Sequence, residues 1–274
     1  MRTNLLIICL LFPFTIFCQD EQSSEKEQIE AYNTFGVSLG INDYHFRDEY
    51  LSPNNFSALM LTAALSCKIN TEKFQHSIEA IYSIGHPAST IQPRDVTENI
   101  GYLAYSISGV IDKEYPAGNP LELSMGAGIT TFVNNTDFNA VDTRYNYSFF
   151  DRSWYWSHSL NLLLGVEYKL TEQRSISLWL TLPVFSLVSR PENEHYYNDN
   201  NMKVINNFFT AATQGKPEFL WSSVVLLFET EYSQPISSNL DIQATYRFSY
   251  SSSDRTLPLK MYMNNLLAGI NWKF

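Results

Sequence analysis

Residues 238–252 read SNLDIQATYRFSYSS. Every second position from Leu240 is apolar or aromatic: Leu240, Ile242, Ala244, Tyr246, Phe248 and Tyr250. Between them stand Asp241, Gln243, Thr245, Arg247 and Ser249. A period of two is the signature of a strand with chemically different faces, because successive side chains leave a pleated backbone in opposite directions. A helix, turning about 100° per residue, would scatter both sets around its surface.

The same alternation recurs along the chain. In 156–170, Leu160, Leu162, Leu164, Val166, Tyr168 and Leu170 oppose Ser157, Ser159, Asn161, Gly165, Glu167 and Lys169. In 120–133, Leu121, Leu123, Met125, Ala127, Ile129 and Val133 oppose Glu122, Ser124, Gly126, Gly128 and Thr130. In 174–190, Ile176, Leu178, Leu180, Leu182 and Val184 oppose Ser175, Ser177, Trp179 and Thr181. Weaker versions at 34–42, 56–69, 73–85, 98–112, 217–232 and 259–274 bring the expectation to about ten strands. The connections also alternate. NTE, EYPAGNP, TEQ and QPISS are short, whereas 43–55, 86–97, 134–155, 191–216 and, more modestly, 253–258 are longer.

The polar faces are mainly Ser, Thr, Gly and Asn, too poor in charge for the water-facing side of a soluble β-sandwich or lipocalin-like barrel. Charged residues are 17% of the 274-residue chain, against 45% hydrophobic and 15% aromatic; soluble domains carry nearer a quarter charged. Apart from residues 5–17, no stretch approaches a membrane-spanning helix. A chain that enters lipid without one must pair all its backbone groups in a closed sheet. The reading is an all-β fold: one antiparallel, up-and-down transmembrane β-barrel over residues 33–274, with short periplasmic turns and longer outer loops. Tyr44, Phe56, Phe132, Trp156, Trp221, Tyr250 and Tyr262 are expected at the outer lipid interface. Phe74, Tyr168, Tyr232 and Trp272 are expected at the periplasmic one.

The N-terminus reads as an export leader over 1–19. Arg2 precedes LLIICLLFPFTIF, and polar QDEQSSEKEQ follows at once; cleavage is expected near Cys18 or Gln19. The alternative, acylation of Cys18, meets Ile16 and Phe17 where a lipobox places small residues. Residues 20–32 are expected to form a short flexible periplasmic arm. Cys9, Cys18 and Cys67 provide no disulfide framework or metal spacing. The net charge of −10, with no basic run, argues against a nucleic-acid partner.

The chain ends LLAGINWKF, with Leu266, Ala268, Ile270, Trp272 and Phe274 on one face. This ending resembles the C-terminal assembly signal of bacterial outer-membrane barrels, carried here by Ile270, Trp272 and Phe274. The resemblance implies insertion by the barrel-assembly machinery into a cell outer membrane, among its lipid and lipopolysaccharide. The leader and the Tyr-, Phe- and Asn-rich style also resemble outer-membrane proteins of Bacteroidota.

The alternation sends Glu79, Glu122, Glu167, Lys169, Glu229, Glu231, Asp241, Arg247 and Lys273 into the lumen. In a ten-stranded barrel these charges either pair as a rigid plug or line an acidic path for small cations. No cofactor, metal or catalytic set emerges. His76-Ser77 and His158-Ser159 are strand neighbours facing opposite ways, and so fail as nucleophile and base. Asp43-Tyr44-His45 is a weak carboxylate–His motif at the outer end of the first strand. Loop 134–155 concentrates aromatics among Asp and Asn, a surface suited to sugars, proteins or lipopolysaccharide. In 202–212, Met202, Ile205, Phe208, Phe209 and Ala212 approach helical spacing and suggest a short helix at the barrel mouth. The expectation is a non-enzymatic barrel, either a narrow pore for small solutes or a structural or binding barrel. The alternatives are an outer-rim hydrolase and an accessory barrel of a secretion or surface-assembly complex.

Overall fold

The computed structural model describes residues 33–49, 51–52, 54–71, 73–89, 95–111, 121–142, 147–171, 174–190, 215–219, 223–253 and 258–274. The expected leader, arm and short helix at 202–212 lie outside these residues, as does Trp221. The described elements are all strands: β1 (Thr34–Asp48), β2 (Phe56–Asn70), β3 (Gln75–Gly85), β4 (Asp95–Val110), β5 (Leu121–Asp142), β6 (Tyr147–Thr171), β7 (Arg174–Ser189), β8 (Lys216–Phe219), β9 (Ser223–Ser237), β10 (Leu240–Ser253) and β11 (Leu259–Lys273). Among the described residues no helix is long and apolar enough to cross a membrane.

Consecutive strands pair antiparallel, except β8 and β9, and β11 pairs with β1 from Thr34↔Lys273 to Asp48↔Leu259. The sheet therefore closes. β7 meets β9 along Ser175–Thr181 and β8 along Phe185–Val188. β8 and β9 thus share one position in the wall, which has ten staves. The expected single strand at 217–232 is this pair. A bulge opposite Leu160/Asn161, where Val184 is the extra residue on β7, lies just before the handover from β9 to β8.

Outward-facing positions carry the apolar set. Leu39, Leu59 and Leu61 are 67%, 68% and 71% exposed, and Leu103, Ile129, Leu160, Leu178, Ile242, Leu266 and Ile270 continue the belt around the wall. Soluble proteins rarely leave contiguous apolar patches of this kind in water. The inward parity bears Gly36, Ser38, Asn42, Thr62, Ser83, Thr130, Asn161, Thr181, Thr245 and Asn271, as the alternation predicts.

Towards the end where the longer connections leave, the chemistry of the two faces swaps while the pleat continues. On β1, outward Phe35, Val37, Leu39 and Ile41 give way to Asp43, His45 and Arg47, and inward Asn42 gives way to Tyr44 and Phe46. These inward rings join Phe56, Met60, Val96, Ile100, Phe138, Tyr155, Val188, Leu259, Met261 and Met263 in one buried core. Tyr44 and Phe56, expected at the lipid interface, are fully buried inside the barrel, and Phe132 packs against them. Trp156 keeps outward parity but is buried with Trp154 and Val133. Tyr262, Phe74, Tyr168 and Trp272 do stand exposed on the outside.

The swap has a cause in strand length. A strand crosses a bilayer in about 9–11 residues, whereas β5 has 22 and β6 has 25. Most of the expected loop 134–155 is strand, paired from Val133↔Trp156 to Asp142↔Tyr147. Beyond the belt the wall meets water, so it buries its apolar face inside, as a soluble barrel does.

Candidate functional site in the lumen

At the end of the barrel where β1 begins and β11 finishes, the inward faces of β2, β3, β9 and β10 bring charges together. Arg247 on β10 donates through Nε to Glu229 Oε2 at 2.7 Å, through Nη2 to the same carboxylate, and through Nη2 to Glu79 Oε2 at 2.5 Å. Its guanidinium also lies 5.2 Å from the ring centre of Tyr102, a cation–π distance. Register places Glu229 directly beside Arg247, whereas Glu79 reaches it across the lumen. Lys68 Nζ donates to both oxygens of Glu231 at 3.1 Å. Lys273 Nζ stands 2.8 Å from Asp241 Oδ1. Lys169 lies 3.7 Å from Glu122, both well exposed, and Glu167 is the register partner of Glu122 on β6.

All nine predicted lumen charges lie on the inward parity of their strands: Arg247 joins Glu79 and Glu229, Glu231 meets Lys68, Asp241 meets Lys273 and Glu122 meets Lys169, with Glu167 beside Glu122. Lys68 is a member that the sequence reading missed, although its parity with Thr62, Ala64 and Ser66 marked it as inward.

A second charged group, also missed, sits in the apolar core at the other end. Arg190 Nη2 donates to Asp48 Oδ1 at 2.7 Å with both side chains almost fully buried, and Ser153 Oγ donates to Asp48 Oδ2 at 2.8 Å. Glu98, also fully buried, accepts from Tyr44 Oη at 3.3 Å, and Asn134 Nδ2 donates to the same phenol at 2.8 Å. Buried charges survive in such a core only when paired and hydrogen-bonded.

Between the two charged levels lies a storey of hydroxyls and amides. Thr62 and Ser83 are 2.7 Å apart, Ser159 and Ser186 are 2.7 Å apart, and Asn161 Nδ2 donates to Thr130 at 3.1 Å. A cavity of about 60 Å³ opens at this level beneath Ile100, Phe132 and Met263. A second, of about 90 Å³, lies on the charged side among Lys68, Glu79, Glu229 and Trp179. Arg247, Tyr102 and Thr130 border both. Trp179 fits the lumen because β6 presents Gly165 to it: a Cβ there would stand 2.5 Å from the indole.

The carboxylate–His motif does form. His45 Nε2 and Asp43 Oδ1 are 2.9 Å apart on β1, and Tyr262 stacks on the imidazole at 4.5 Å between ring centres. Both side chains leave the outer surface of the wall, just past the apolar belt, rather than entering the lumen. His76 and His158 also face outward, against Tyr105 Oη at 3.0 Å and Thr131 Oγ1 at 3.0 Å. Among the described residues no three His, Cys, Asp or Glu side chains group as metal ligands.

No family model and no curated protein matches the chain. Solved structures do. The outer membrane protease OmpT from Escherichia coli aligns over 92% of this chain and 100% of its own, with a TM-score of 0.57 at 9% identity. The fold is that of a bacterial outer-membrane β-barrel. The translocator domain of the autotransporter NalP from Neisseria meningitidis aligns over 99% of this chain and 96% of its own, with a TM-score of 0.47 at 11% identity. Neisserial surface protein A aligns over 88% and 97%, with a TM-score of 0.36 at 14% identity.

Proposed function

We propose that this chain is a non-enzymatic barrel of the cell outer membrane, with a closed lumen, that works as a structural and binding platform. One observation carries the reading. Side chains obstruct the bore at two levels, the Arg247 cluster and the Tyr44–Phe56–Met261 core, with Arg247 itself 4% exposed and Tyr44 and Met261 fully buried. A narrow pore needs a continuous wet path with rings of carbonyls or charged side chains along it. Here ion pairs occupy one level and interlocked apolar side chains another.

The exposed belt supports placement in lipid, and the resemblance of Ile270, Trp272 and Phe274 to an assembly signal supports insertion by the barrel-assembly machinery. The extension of β5 and β6 past the belt is self-supporting because it has its own core. That suits the extension itself to serve as a fixed binding face beyond the lipid. A Bacteroidota source rests on composition and leader style alone.

The test is electrical. Purified, refolded protein in planar bilayers is expected to give no discrete conductance steps, and sustained single-channel steps would overturn the closed platform. The Asp43–His45 bond favours a second reading, a hydrolase at the outer rim. Esterase or peptidase turnover by purified protein that disappears in His45→Ala would establish it over the first.

A further inference from the structure

Glu98 is a fully buried carboxyl on the storey of Tyr44, Phe56, Met60 and Met261. Its strand neighbours Thr97 and Asn99 are polar, as are the outward Asn135 and Asp137 beside its register partner Thr136, so this storey stands past the apolar belt. On β3 it faces Gly85, where Met60 takes the space of a side chain: a Cβ on Gly85 would stand 2.6 Å from Met60 Cγ. Tyr44 Oη donates to Glu98 Oε1 at 3.3 Å, and among the described residues Glu98 Oε2 has no hydrogen-bonding partner.

The charges on this storey do not balance an ionised Glu98. β1 contributes Tyr44 and Asp48, β6 contributes Tyr155 and β8 contributes Glu218. Arg190, just past β7, donates to Asp48 at 2.7 Å. The described inward side chains of β2, β3, β5, β10 and β11 at this level are not titratable. A carboxylate oxygen with neither water nor donor is far costlier than an acid O–H in the same place. Burial pushes the Glu98 carboxyl well above the ordinary carboxylate range, and Asp48 adds to the rise. Burial raises the Tyr44 phenol too, so it stays protonated beside Glu98.

We propose that Glu98 is a proton-operated latch on the outer plug: as a neutral acid it ties β4 to β1 inside the core, and its ionisation loosens this storey and admits water.

The inference rests on the closed lumen proposed above, but the two fail separately. The Arg247 cluster still obstructs the bore when the latch opens, so loosening here predicts water entry without conductance. Conductance steps at neutral pH strike the closed lumen, and an outer storey indifferent to pH strikes the latch. The folded chain holds the Glu98 proton to higher pH than the unfolded chain does. The latch is therefore complete below the ordinary glutamate value of about pH 4.3. It weakens as pH rises towards the folded value, by up to about tenfold in the folding equilibrium per pH unit.

The sample is the full-length protein refolded in detergent. Hydrogen exchange is measured from about pH 5 to about pH 9 and expressed as protection factors, which remove the intrinsic pH dependence of exchange. Protection in the outer halves of β1 and β4 is expected to fall by about tenfold or more across this range. Glu98→Gln keeps a neutral side chain of the same shape and is expected to hold that protection constant.

Infrared spectroscopy reads the proton itself. A carboxylic-acid carbonyl band is expected at neutral pH, fading towards alkaline pH and missing from Glu98→Gln. Should Glu98→Gln fail to fold, Tyr44→Phe keeps the ring, removes the phenol and is expected to shift the band. Absence of the band from the wild-type protein, or a band that neither substitution alters, would sink the latch. So would equal pH dependence of protection in the wild-type protein and Glu98→Gln.

Discussion

Arg247 is the residue on which the lumen turns. Its Nε and Nη2 reach two carboxylates from different strands, Glu229 beside it and Glu79 across the bore. Removing one partner of a buried ion pair leaves the other charge uncompensated, at a cost of about 3–5 kcal/mol. Arg247→Leu is therefore expected to lower stability by that amount in denaturant unfolding, with much of it recovered when Glu79 and Glu229 are also made Gln. Lys169→Ala removes a 3.7 Å pair whose members are 57% and 36% exposed, and is expected to cost under about 1 kcal/mol.

The inward direction of all nine predicted charges was legible, because direction follows from parity alone. The pairing was not. Glu79 and Arg247 lie 168 positions apart, and only closure of the wall brings them together. Asp48, Glu98 and Arg190 were missed because each falls at the end of an expected strand or in an expected loop. The cavity beneath Ile100, Phe132 and Met263 was not legible, because its lining comes from strands that only closure of the wall brings face to face.

At the scale of the strand, two contacts constrain substitution. Gly165 on β6 faces the Trp179 ring on β7, and the two are register partners. Gly165→Leu is expected to destabilise the barrel by about 1–3 kcal/mol through overpacking, and Trp179→Gly in the same chain to restore most of it. The unfolding midpoint reads both.

Trp272 at the end of β11 and Phe274 just after it are 60% and 55% exposed on the outer surface, where they contribute little packing inside. Phe274→Ser is expected to leave the purified protein's unfolding midpoint nearly unchanged while lowering the amount of heat-modifiable, folded barrel in membranes. Equal amounts of folded barrel in membranes would remove the assembly-signal reading. Alternation located these strands, but it could not show that β5 and β6 continue past the expected loop boundary at 134. At 134–138 polar Asn135 and Asp137 go out, while Phe138 goes in together with polar Asn134 and Thr136. Periodicity reports two faces and is silent on which one is wet.

For the whole molecule, the band of exposed Leu, Ile and Val is the governing term. Hiding one such side chain from water is worth about 1.5–3 kcal/mol, so the wall has a large incentive to meet hydrocarbon. The protein is expected to stay with membranes through alkaline carbonate washing and to leave them in detergent. Recovery from a detergent-free periplasmic extract would contradict the placement. Closure joins Thr34 to Lys273, on strands far apart in sequence, and makes assembly dependent on late, long-range pairing.

The seam itself has a further consequence. Asn33 N donates to Phe274 O at 3.2 Å and Phe274 N donates to Asn33 O at 3.0 Å, so the ring of staves has no natural beginning. A gene that links residue 274 to residue 33 through a few glycines and opens the chain at the 238–239 turn would encode the same circle with a new last stave, ending in Ser237. Such a permutant should refold in micelles yet be neglected by the cell's insertion apparatus, separating what the polypeptide can do unaided from what its address label earns it.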